Sequence, residues 1–303
     1  MQKTGQGNSV GYIAVCTPKQ NPHAPVTALT ILTAADQAYW RCLCQFFRSA
    51  QRMGIERHAR IVAYDLGMDP ATVAGLRGRF PWVEFRRFDF SCYPPHVALG
   101  ARTYAWKPMV IAEAMEEFGG RLLWLDSAAL FQARDLSHPM AALDRDGIYA
   151  LKGQSALELR CNAFTLDVLD VPPEDRKRPE RVATVIGFDT QRQEVRAFVS
   201  EWKAHSLVPE RIAPRTKSHN PEQALLSILL FKYRREGRIG LGEEEIDISS
   251  ASPVRWVTTR NKVRAGAPVW ADSFIRLYYF FYKTLDQAWL GFQRRRRMGH
   301  KAG

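Results

Sequence analysis

The sequence predicts an α/β protein: a three-layer α/β/α sandwich around a mostly parallel sheet in residues 27–252, with an irregular arm (1–26) and a helical C-terminal extension (253–303). Three observations predict it. Between Ala28 and Phe88, apolar runs of strand length alternate with segments of helical period; that order implies parallel strands joined by right-handed crossovers. Leu122-Leu123-Trp124-Leu125 is apolar at every position, as in a strand covered on both faces. That run ends on Asp126, at the end of a strand where ligands sit in open α/β sheets.

Each element has a local reason. Ala28 to Thr33 is a strand, and Asp36 can cap the helix whose apolar residues Tyr39, Trp40, Leu43, Phe46, Phe47 and Ala50 recur at helical spacing. Ala59 to Tyr64 is a second strand closing on Asp65, Asp69-Pro70 opens a short helix, and Trp82 to Phe88 alternates as a third strand. Tyr104 to Phe118 is a helix with Pro108 in its first turn, stopped by Gly119-Gly120 before the strand that leads to Asp126. A short helix spans Pro139 to Leu143 and a strand Ile148 to Leu151; residues 153–181 form a long polar segment, read as a functional insertion or mobile lid. Val182 to Ile186 returns as a strand closing on Gly187-Phe188-Asp189, and two helices follow, the second opened by Asn220-Pro221-Glu222-Gln223.

Composition excludes several classes. No apolar run is long enough to span a membrane, and residues 1–26 carry no signal-peptide pattern. Five cysteines without a Cys-x-x-Cys pair read as reduced, mostly buried thiols of a cytoplasmic protein. The net charge of +12 is uneven: from Pro253 onward eleven basic residues face only Asp272 and Asp286, so +9 of it lies in the last fifty-one residues. A nucleic-acid binder carries its positive stripe across the folded surface, so no nucleic-acid partner is expected.

The combination Tyr93-Pro-Pro-His, Tyr104-Ala-Trp-Lys-Pro, Gly-Gly-x-Leu-Leu-Trp-Leu-Asp-Ser, Ile186-Gly-Phe and Glu222-Gln-x-Leu-Leu-x-Ile-Leu-Leu resembles nucleotide-sugar-dependent glycosyltransferases of the GT-A (Rossmann-like) fold, near the glycogenin and lipopolysaccharide-galactosyltransferase group. The resemblance runs from about Thr27 to Tyr233. It implies transfer of a sugar from a nucleoside-diphosphate sugar to a glycan-type acceptor; the alternative is a degenerate domain that binds without turnover. In such enzymes a strand-end Asp-x-Asp holds Mn²⁺ or Mg²⁺ across the diphosphate. Here Asp126 is followed by Ser127-Ala128, so the second carboxylate is missing. The downstream histidine of the pattern is missing too, and both departures weaken the expectation of a divalent cation.

The resemblance also assigns roles by position. Asp126 and Glu222 stand as catalytic candidates, Glu222 in place of the family's Asp before an apolar helix. Lys107, at a helix start, would meet the diphosphate. Thr33, Ala34 and Asp65 fall at strand ends where base and ribose would lie, with Ser127 near the ribose. Gly187 and Phe188 would flank the donor sugar, and His219 and Gln223 would complete the acceptor side. The stretch 273–298 is an aromatic-rich helix ending in Arg294 to Arg297; aromatics flanked by arginines suit the headgroups of an anionic membrane surface, which would place the protein peripherally on the inner face.

Overall fold

The computed structural model describes residues 29–212, 220–246, 256–259 and 263–274. The N-terminal arm, His219 and nearly all of the helix expected at 273–298 lie outside the described residues. Along the chain, β1 (Leu29–Ala35), α1 (Trp40–Met53), β2 (Arg60–Asp65), α2 (Pro70–Arg79) and β3 (Val83–Arg87) keep the expected alternation. After a loop come α3 (Trp106–Phe118), β4 (Arg121–Leu125), β5 (Leu130–Phe131), α4 (Ser137–Asp146) and β6 (Ile148–Ala156). Three helical turns follow, α5 (Leu157–Arg160), α6 (Ala163–Val168) and α7 (Pro173–Arg176), and then β7 (Pro179–Asp189). Finally come α8 (Gln193–Ser206), α9 (Pro209–Ile212), α10 (Pro221–Arg235) and β8 (Val257–Thr258).

The sheet order is β3-β2-β1-β4-β7-β6. β3, β2, β1 and β4 run parallel, β7 runs against β4, and β6 runs against β7. The sheet is therefore mostly parallel, with β7 as the reversed strand. From β1 the chain winds outward to β2 and β3, then returns to place β4 on the other side of β1. That reversal is a topological switch point, and a crevice opens beyond the carboxyl ends of β1 and β4. Gly119 and Gly120 make the return possible: both have positive φ (60° and 66°), a conformation that costs a residue with a Cβ.

Strand alternation divides the core in two. Leu32, Val62, Leu122 and Trp124 face α3, α8 and α10, whereas Ile31, Ile61, Leu123 and Leu125 face α1, α2 and α4. α10 is buried from Pro221 through Phe231, which explains why its sequence is apolar nearly all round.

Two expectations need correction. Residues 153–181 are not a loop or lid: they form the end of β6, three helical turns and the start of β7. Helices of four to six residues are too short to show a 3.6-residue period. They are held by local bonds instead, Asn162 capping Phe164 N at 2.8 Å and Arg176 reaching Val171 O and Asp167, both at 2.8 Å. Second, Cys42, Cys44 and Cys161 are buried free thiols, but Cys92 is disulfide-bonded, a pairing that spacing along the chain does not reveal. The described part of the extension is stitched to the domain: β8 pairs with β5, and Arg41 of α1 donates to the carbonyls of Arg264, Ala265, Ala267 and Pro268. Among the described residues, no helix is long and apolar enough to cross a membrane.

Candidate functional site

At the switch point lies a hollow of about 570 Å³. The end of β1 brings Ala34 and Ala35 to it, the turn after β4 brings Asp126, Ser127 and Ala128, and the start of β7 brings Ala183 and Thr184. The first turns of α3 and α10 contribute Lys107, Glu222 and Gln223, so two helix N-termini meet there, a setting that favours negative charge on a ligand.

Asp126 is placed by the strand it follows. Its N–H donates to Thr184 O at 3.0 Å, continuing the β4–β7 ladder, and its Oδ1 accepts the Trp124 indole N–H at 2.8 Å. Lys107 is 5% exposed. Its Nζ stands 3.0 Å from Asp126 Oδ1 and 2.8 Å from Glu222 Oε1, and donates to the Ala183 carbonyl at 3.0 Å. Burial alone would lower the pKa of this ammonium; the Asp126 and Glu222 carboxylates outweigh it and hold it above the ordinary lysine range. Burial likewise pushes the Glu222 carboxyl up, against the pull of Lys107. Glu222 Oε1 is buried and faces the Lys107 ammonium at 2.8 Å.

Gln223 is held at both ends, accepting from Ala183 N at 3.1 Å and donating to the buried Glu180 at 2.6 Å. Its amide fixes the backbone of β7 against α10 as well as lining the hollow.

Other expected residues fall elsewhere. Thr33 is buried and points to the face opposite Ala34, as strand alternation requires. Asp65 is a turn former: its Oδ1 accepts Gly67 N at 2.9 Å and Met68 N at 2.6 Å. Gly187 and Phe188 pair with Leu123 and Leu122 near the start of β4. Because β7 is antiparallel, they lie further along the sheet from Asp126 and do not line the hollow, whereas Ala183 and Thr184 do. Phe188 packs on Phe198 and Trp202.

The residues that spacing missed are Tyr39, Tyr104, Thr184 and Arg264, all lining the hollow. Tyr39 fits the apolar stripe of α1, which hides its position as the residue just before that helix. Tyr104 is half exposed and has φ 57°, strain that a folded rim sustains at functional sites. Arg264 comes from the extension; its guanidinium lies 4.6 Å from the centre of the Tyr39 ring and makes no ion pair among the described residues. Nothing in the sequence pattern brings it here.

Among the described residues no group of three or more His, Cys, Asp or Glu side chains is disposed to hold a metal ion. The two carboxylates that do converge share an ammonium.

Comparison with known proteins adds the following. Residues 18–112 match a family described as "Protein of unknown function (DUF1647)", and no curated protein matches the chain. Among solved structures, the chain is similar to the galactosyltransferase LgtC in complex with donor and acceptor sugar analogues: 17% identity and a TM-score of 0.43, over 66% of this chain and 70% of that one. It is similar to the bifunctional glycosyltransferase WbbM in its apo form, at 15% identity and a TM-score of 0.46, over 69% of this chain but only 38% of that one. Mouse xyloside xylosyltransferase 1, also apo, gives 10% identity and a TM-score of 0.42, over 71% of this chain and 84% of that one.

Proposed function

We propose that the chain is a glycosyltransferase of the GT-A type, moving a sugar from a nucleoside-diphosphate sugar to a hydroxyl of a glycan-type acceptor. The observation that carries this reading is the convergence of the buried Lys107 and Glu222 with the partly exposed Asp126, from three separate elements, at one point of a hollow at the sheet's switch point. The resemblance of the motifs around those residues to nucleotide-sugar enzymes supports it.

The geometry shifts two roles. Lys107 is committed to Asp126, Glu222 and the Ala183 carbonyl, so it holds the site together instead of meeting the diphosphate. Arg264, which lines the rim with no ion pair among the described residues, supplies the cation for the diphosphate beside the N-termini of α3 and α10. Tyr39 offers a ring for the base, and Asp126, partly exposed in the hollow with Glu222 behind it, holds hydroxyls of the donor sugar or acceptor. The bond from the anomeric carbon to the diphosphate breaks with its electron pair going to the diphosphate. The acceptor oxygen forms the new bond to that carbon and passes its proton to the departing diphosphate. Fixed positive charge at the departing diphosphate is the main contribution to rate.

The test is a panel of nucleotide sugars, read by thermal stabilisation and by release of nucleoside diphosphate with and without oligosaccharide acceptors. Arg264→Ala should weaken nucleoside-diphosphate binding on the order of tenfold or more, the worth of a charge-assisted contact. Asp126→Asn should remove turnover in a protein that still folds. Stabilisation without any diphosphate release would make the chain a binding module; no response to any nucleotide or nucleotide sugar would end the reading.

A further inference from the structure

Glu222 and Asp126 meet with side chains 5% and 31% exposed; such a pair usually needs a cation between its members, because the buried one alone would carry an uncompensated charge out of water. Asp126 comes from the end of β4 and Glu222 from the first turn of α10. In enzymes acting on diphosphates that cation is a metal ion with oxygen ligands. Here the place is taken by the protein's own ammonium, 3.0 Å from one carboxylate and 2.8 Å from the other, on a residue 5% exposed.

Three further observations fix it there. The ammonium donates to the Ala183 carbonyl at 3.0 Å, so it is tied to β7 as well as to the two acids. It lies 5.4 Å from the centre of the Trp124 ring, whose indole N–H in turn holds Asp126 at 2.8 Å. The lysine's neighbours in the first turn of α3, Trp106 and Pro108, are buried as well. A divalent ion approaching either carboxylate would meet that positive charge.

We propose that Lys107 is the resident cation of this hollow, so that the Asp126–Glu222 pair binds no divalent metal and the site takes its nucleotide without one. The exclusion of metal stands on the ion triad alone; the statement about the nucleotide rests on the glycosyltransferase reading above.

The experiment is a Mn²⁺ titration of the full chain by calorimetry, on wild type, Asp126→Asn, Lys107→Ala, and Lys107→Ala combined with Asp126→Asn. Removing the ammonium leaves two carboxylates facing one vacated point. Lys107→Ala should therefore gain a Mn²⁺ site at least tenfold tighter than anything in wild type, with a rise in Tm on adding Mn²⁺, and adding Asp126→Asn should remove that site. Wild type and Asp126→Asn should titrate alike. A stoichiometric Mn²⁺ site in wild type that disappears in Asp126→Asn overturns the proposal. Where Lys107→Ala does not fold, that wild-type comparison decides alone.

A second measurement separates the two readings. Wild-type Tm is followed with UDP, GDP and ADP, once in EDTA and once in Mn²⁺. Equal stabilisation in both is expected; stabilisation that needs Mn²⁺ overturns the proposal and keeps the nucleotide site. Stabilisation in neither condition removes the nucleotide reading, and the resident cation then stands or falls on the Mn²⁺ titration.

Discussion

Glu222 shows how much of this site is decided by surroundings. In sequence it is an acid in the first turn of a helix, equally a good helix start and a catalytic candidate. In the structure burial raises its pKa and Lys107 opposes the rise. The folded chain holds that proton more tightly than the unfolded chain does. Its contribution to stability is therefore full below the ordinary glutamate value and is lost as pH rises through the raised folded value. Acidification should uncouple Glu222 from Lys107 without loosening the fold through this residue. The Tm advantage of wild type over Glu222→Gln should grow as pH falls across that window, while nucleotide binding by wild type declines. A Tm difference that shrinks on acidification would contradict the shift. Asp126 was legible as a site residue because strand-end placement can be read from an apolar run and its stop. That Lys107 would pair with it was not, since nineteen positions and a whole helix separate them.

At the scale of elements, β7 changed the most between reading and structure. Its apolar pattern gave no direction, because parallel and antiparallel strands buried on both faces look alike in sequence. Direction matters: it exchanges which end of the strand meets the hollow. Gly187 therefore serves packing. A Cβ added there would stand 3.1 Å from Leu143 Cδ2 and 3.2 Å from Tyr149 Cβ. Gly187→Ala should cost about 1–3 kcal/mol as overpacking does, measured by chemical denaturation, and leave nucleotide affinity where it was. A large loss of affinity with unchanged stability would return Gly187 to the site. The loop expected at 153–181 failed for a different reason: its three helices are too short to show a period, although Leu157, Leu166 and Val171 pack into the core and caps and arginine bonds hold the turns.

Across the whole molecule, the hollow is completed by chain that arrives last. Arg41, buried in α1, reaches the carbonyls of Arg264, Ala265, Ala267 and Pro268, and so places Arg264 at the rim. Replacing it with Met keeps the stem and removes the donors. Arg41→Met should weaken nucleoside-diphosphate binding in the same direction as Arg264→Ala, and the double variant should lose less than the two separate losses together, because both act through one guanidinium. Full additivity, measured by calorimetry, would mean that Arg41 does not work through Arg264. The α/β class, the order of the first three strands and the placement of Asp126 were determined by the sequence itself, since apolar period and strand ends are local properties. The reversed direction of β7, the ammonium between two acids and the arginine from the extension were decided only by the tertiary structure. Each depends on which distant segments share a boundary, and burial and charge compensation act on that boundary rather than on the spacing of residues along the chain.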